Sequence, residues 1–275
     1  MAFTPTKMQI IHKVTFEGTK AAEFRELGVS MVRISPESPL INMLQFTMAE
    51  DDSRWKKTHS IIKKLGALDF AETRFTPYEF DRAQFLAVLP SWHHGYPQPE
   101  EDFQYKKTTY DLSHYCSACQ IGARQVAPFQ MKRPPIWGEK SVLQLNWVFD
   151  EYFVKPETWK RVFERFGIKC RPVLQHPSGQ EMETVVQLDI SERAELLMES
   201  YPRVQCQRCG TRSYQHVNGF FPSPAATGQH LFKSLQWFGA GSVPVQAVVV
   251  SQALYRAIQD AKIRGLEFQA CLPPQ

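Results

Sequence analysis

The chain has 275 residues, 43% of them hydrophobic and 22% charged, a balance that supports a substantial core and excludes a disordered or low-complexity protein. Its formal net charge of +4 is small for this length, and the basic residues are scattered among acidic groups such as Glu50-Asp51-Asp52 and Glu100-Glu101-Asp102, which weighs against a dedicated nucleic-acid binder. No apolar run reaches the 18 residues of a membrane span, and the start, Met1-Ala-Phe-Thr-Pro-Thr-Lys, lacks the basic-then-apolar order of a signal peptide, so the expected location is cytoplasmic.

In chain order, Met8 to Phe16, Val29 to Ile34 and Met43 to Met48 are rich in β-branched and apolar residues and predict strands. A helix capped by Asp52 or Ser53 carries Trp55, Ile61, Ile62 and Leu65 on one stripe and stops at Gly66. Thr76-Pro77-Tyr78-Glu79 has the capping-box order and predicts a second helix running to about Leu89. The Pro- and aromatic-rich stretch from Ser91 to Tyr110 reads as a domain boundary or an ordered crossing segment whose aromatic residues pack against the body of the protein. Adjacent side chains point in different directions, so His93-His94 reads as a surface loop and not as a ligand pair.

Farther on, Val142 to Phe149 predicts a strand, and Asp150-Glu151 falls where a turn would lead into the helix opened by Pro156. That helix bears Trp159, Val162, Phe163 and Phe166 on one face and closes at Gly167, ahead of a strand over Ile168 to Leu174. Pro177-Ser178-Gly179 should turn a hairpin between strands ending near Gln175 and starting near Glu183. The ending repeats the order: strand Val245 to Val250, a helix from Ser251 with Leu254, Ala257, Ile258 and Ala261 inward, Gly265, then strand Leu266 to Ala270. The recurrence raises the expectation of two pseudo-equivalent halves, against the bland reading that such units are common.

Two Cys-x-x-Cys pairs, Cys116/Cys119 and Cys206/Cys209, supply four thiolates, a complete tetrahedral set for structural Zn2+. The other readings are two unrelated turns, or redox or disulfide use. The 86 residues between the pairs mean that the metal would join distant parts of one domain, and four protein ligands would leave no open position for catalysis. His114 is a candidate to replace or support a ligand, although a solvated loop histidine is the simpler reading. Cys170 and Cys271 suit small buried hydrophobes.

The expected fold class is α+β, with mixed sheets and short packed helices. Residues 1–104 form an additional N-terminal α+β domain of unassigned role, and residues 105–275 form a domain organised around the four-cysteine zinc site. No nucleophile elbow, metalloprotease, P-loop or zinc-deaminase motif is present, so no catalytic or organic-cofactor-binding residue is assigned and the chain is expected not to be an enzyme.

From about Tyr105 to Pro274, the paired cysteines, the strand and helix around Trp147 to Phe166, Gly210 after the second pair, and the ending from Leu231-Phe232 to Gly265-Leu266-Glu267-Phe268 resemble the double-CXXCG family of bacterial immunity proteins, neighbours of polymorphic toxins. The chain departs from that family's pattern at Gln120, where the first pair lacks its following glycine, and in the hundred residues ahead of the first pair. The resemblance implies a partner, a cognate protein toxin neutralised by direct binding, and no catalysis. The alternatives are a nucleic-acid-binding zinc protein, marked by a basic aromatic-lined face, and an enzyme with a dispersed active site, marked by a pocket of converging titratable groups.

Overall fold

A computed structural model describes residues 7–34, 42–239 and 244–272. It is an α+β protein in two compact units, one of residues 1–81 with 217–220, the other of 82–216 with 221–275. The chain therefore leaves the first unit after Asp81 and returns to it once, through a short segment late in the sequence.

The first unit has β1 (Gln9–Glu17), α1 (Ala21–Arg25), β2 (Val32–Arg33), β3 (Met43–Ala49), α2 (Trp55–Leu65), β4 (Leu68–Arg74) and α3 (Pro77–Arg82). Its antiparallel sheet runs β2-β3-β1-β4. Val14 and Phe16 of β1 meet Phe24, Phe46 and Ile62 in one apolar core, with Phe16 and Phe24 rings 4.5 Å apart. The α2 stripe and its stop at Gly66, in the left-handed region, follow the sequence expectation. Its cap does not: the helix starts after Arg54, and Asp52 instead accepts from the Arg54 backbone N–H at 2.9 Å.

At Thr76 the Glu79 half of the capping box forms, Glu79 accepting from the Thr76 backbone N–H at 2.7 Å and from its hydroxyl at 2.8 Å. The helix, expected to reach Leu89, ends at Arg82. Phe85–Pro90 is instead β5, because this continuously apolar run is covered on both edges. It pairs antiparallel with the strands on either side of it, β17 and β18, introduced below. That pairing moves the boundary expected at residue 104: residues 82–104 belong to the second unit. Within them Trp92 packs on the core and the His94 N–H bonds the Gln144 carbonyl at 2.8 Å, so this aromatic stretch is a crossing segment.

After β5 come α4 (Tyr105–Thr109), β6 (Tyr110–Asp111), β7 (Arg124–Gln125), β8 (Gln130–Met131), β9 (Val142–Leu145) and β10 (Val148–Val154). The single strand expected over Val142 to Phe149 is thus two strands, reversed at Asn146-Trp147 with Trp147 at φ +66°. Next is α5 (Pro156–Thr158), which widens to a π turn over Trp159–Phe163, tightens over Glu164–Phe166 and closes at Gly167. Strands β11 (Cys170–Gln175), β12 (Glu181–Leu188), β13 (Arg193–Ala194), β14 (Arg203–Gln205), β15 (Arg212–Tyr214), β16 (Leu231–Phe238) and β17 (Val245–Ser251) follow, then α6 (Gln252–Asp260) and β18 (Leu266–Ala270). Ser251 caps α6, its hydroxyl accepting from the Leu254 N–H.

These strands form a five-stranded sheet, β8-β11-β12-β10-β9, and a seven-stranded one, β14-β15-β16-β17-β5-β18 with β13 beside β16. In the first, β10 and β11, joined by α5, flank the antiparallel β12; in the second, β17 and β18, joined by α6, flank the antiparallel β5. The two strand-helix-strand units thus share element order and direction. Val142, Tyr152 and Leu188 of one sheet meet Val88, Leu231 and Val248 of the other, with Phe163 and Ile258 from the helices, and the Tyr152 hydroxyl donates to the Val88 carbonyl at 3.0 Å.

Candidate metal centre and adjoining cleft

Each Cys-x-x-Cys segment folds into the same knuckle. In the first, the Cys116 N–H bonds the Ile121 carbonyl at 2.8 Å and the Gln120 N–H bonds the Cys116 carbonyl at 2.7 Å. In the second, the Cys206 N–H bonds the Thr211 carbonyl and the Gly210 N–H bonds the Cys206 carbonyl, both at 2.9 Å. The turn needs a left-handed residue directly after the second cysteine, supplied by Gly210 at φ +75° and by Gln120 at φ +59°. The first knuckle carries a further constraint at Gly122, where a Cβ would overlap the His114 carbonyl oxygen.

The knuckles face one another. Cys116 and Cys206 sulfurs are 3.9 Å apart, Cys119 and Cys209 sulfurs 3.5 Å apart, and all four lie within 4.8 Å of one another. A disulfide needs its sulfurs about 2.05 Å apart. Four thiolates each about 2.3 Å from a tetrahedral metal stand about 3.8 Å from one another, and the observed spacing fits that arrangement. Arg208 also donates to the Ser117 hydroxyl across the gap at 2.8 Å. The Thr211 hydroxyl and backbone beside Cys209 lower its thiol to about 6, whereas burial, reinforced by neighbouring sulfurs, pushes Cys119 up to about 12. Thiols this close cannot all ionise without a cation between them.

The tetrad can hold a metal ion, and the expected residues are the ones brought together. His114 is exposed and outside the tetrad; His93 and His94 also lie outside it but are half-buried, His94 bonding the Arg133 carbonyl. Cys271 is buried, which raises its thiol to about 12, and Cys170 is half-buried.

Beside the first knuckle lies a cleft of about 550 Å³. Tyr115 and Gln120, which flank the first cysteine pair, form part of its wall. At the floor Lys233, 2% exposed, is salt-bridged to Glu151 and lies 3.3 Å from Asp150. Gln187 donates to Glu151 at 3.0 Å and exchanges hydrogen bonds with Gln125 at 2.7 and 2.8 Å. Burial raises the Glu151 carboxyl above its ordinary value, and the Lys233 ammonium pulls it back. This corrects the reading of Asp150-Glu151 as a turn: both lie inside β10, and Glu151 is held in the interior by a lysine 82 residues away. The cue missed in the sequence was Lys233 itself, a lone charge inside the apolar run Leu231-Phe232-Lys233-Ser234-Leu235.

No protein-family model and no curated protein matches this chain. Among the described residues, no helix is long and apolar enough to cross a membrane.

Proposed function

We propose that this chain is a Zn2+-stabilised cytoplasmic binding protein of the toxin-immunity kind, which neutralises a cognate protein toxin by covering it. The observation that carries the metal half of this reading is the set of four sulfurs within 4.8 Å, drawn from two knuckles far apart in sequence. Four thiolates complete a tetrahedral zinc shell, so the ion would act on folding and not on a substrate. The immunity half rests on the resemblance of residues from about Tyr105 to Pro274 to the double-CXXCG proteins.

Elemental analysis of protein purified without added metal tests the first half; one zinc per chain with four protected thiols is expected. Rescue of cells expressing the toxin encoded beside this gene, together with co-purification of the pair, tests the second. Zinc without rescue by any neighbouring toxin would leave the metal site standing and remove immunity.

A second reading has its own support. The cleft over Lys233, Glu151 and Asp150 is the converging pocket of titratable groups expected of a ligand site or a dispersed active site.

A further inference from the structure

The cleft is independent of the immunity reading and has the attributes of a built site. Its volume of about 550 Å³ lies within the range of small-molecule pockets. Its floor is fixed by a buried, mutually satisfied network of Lys233, Glu151, Gln187 and Gln125, so the polar surface is preorganised. Two of the chain's non-glycine residues held at positive φ, Gln120 and Trp147, both line it. Strained backbone of this kind persists where surrounding structure enforces it, and it concentrates at binding and catalytic sites.

The charges define what the cleft accepts. Five basic side chains line it against three acidic ones. Lys233 is neutralised by Asp150 and Glu151, and Arg171 by Asp189 at 2.7 Å. The remaining three have no acidic partner within the lining: Lys106 donates to Gln120 at 3.2 Å, Arg193 to the Ile190 and Glu192 carbonyls, and Arg124 forms an exposed salt bridge at 3.8 Å with Asp111, just outside it. The walls add aromatic surface from the half-buried Tyr110, Trp147 and Trp237. An excess of positive charge beside several ring faces recognises an anion attached to a planar ring.

We propose that this cleft binds a small anionic molecule carrying a flat ring, the chemistry shared by a nucleoside monophosphate and an aromatic carboxylate. Lys106 and Arg124 attract the anion, and the tyrosine and tryptophan rings hold the planar part.

The test is calorimetric titration of the full-length, metal-loaded protein with adenosine monophosphate, adenosine, inorganic phosphate and 4-hydroxybenzoate. Binding of adenosine monophosphate or of 4-hydroxybenzoate is expected, and the one that binds identifies the source. If it is the nucleotide, adenosine and phosphate alone should each bind at least about tenfold more weakly. Substituting Lys106→Ala with Arg124→Ala should weaken binding by about tenfold or more, the scale of losing charge-assisted contacts. The Arg124 side chain is 79% exposed, so for Arg124→Ala alone a melting curve matching the parent is expected; Arg124→Glu alone provides a second variant and should weaken binding further than Arg124→Ala. Failure of both ring anions to bind would overturn the proposal, as would phosphate binding as tightly as the nucleotide, or binding unchanged in the charge variants.

Discussion

The two knuckles have the same hydrogen bonds and the same left-handed turn, yet the first achieves them with Gln120 where the second uses Gly210. They also differ in setting: Cys116 is buried and its segment walls the cleft, while Cys209 is exposed on a segment that does not reach it. The physical requirement of the motif is therefore a backbone conformation and not a glycine. Where glutamine meets it, the side chain gains a second use as the acceptor for Lys106 at 3.2 Å.

The largest expected effect tests what the knuckles share. Cys116→Ser and Cys209→Ser each break the candidate ligand set and should cost roughly 5 kcal/mol or more, read as loss of metal binding and of the cooperative melt of the second unit. Cys116→Ser should be the worse of the two, because it also leaves a hydroxyl in a buried position. Equal melting temperatures for both variants and the parent would show that the metal does not organise this unit.

Next come the glycines. Gly122→Ala places a methyl group against the His114 carbonyl as well as straining φ at +106°, and about 3 kcal/mol or more is expected from denaturant unfolding. Gly210→Ala, whose nearest neighbour is a glutamine side-chain nitrogen at 3.6 Å, should cost only the intrinsic left-handed penalty of about 1 kcal/mol. A reversed order would mean that the two knuckles are not held as described.

A subtler effect is expected at Gln120. Gln120→Gly should relieve the strained φ and stabilise the unit by about 0.5–1 kcal/mol, while releasing Lys106 from its partner. The smallest effect contrasts the knuckles at the cleft: Gln120→Gly, by removing the partner of Lys106, should weaken any cleft ligand by a few-fold in calorimetric titration, and mutating Arg208 on the second knuckle should leave that ligand's affinity unchanged.

Much of this architecture is legible in local sequence. The α2 stripe with Gly66, the Thr76 capping box, the helical run closing at Gly167, the hairpin at Pro177-Ser178-Gly179 and the Ser251-capped α6 all form as the local signals indicate. The four metal-site cysteines were legible because ligand chemistry restricts both residue type and spacing.

What was not legible depends on partners distant in sequence. The capping box starts a helix at Pro77 but cannot say that Phe85–Pro90 will be claimed by two strands more than 150 residues later. The same holds for Glu151, whose burial makes sense only once Lys233 is opposite it. At Trp147 the reversal needs a left-handed tryptophan, which no propensity predicts.

Because β5 sits between β17 and β18, one interior strand of the large sheet is synthesised long before its two neighbours. At about 5–20 residues per second, roughly ten to thirty seconds separate them on the ribosome. Throughout that interval an apolar strand, Phe85–Pro90, has neither edge paired, and for most of it the first unit still lacks its Val217–Phe220 segment. Folding of both units thus waits on late-arriving chain, and a nascent protein halted before residue 245 exposes an aggregation-prone β segment that a chaperone must shield.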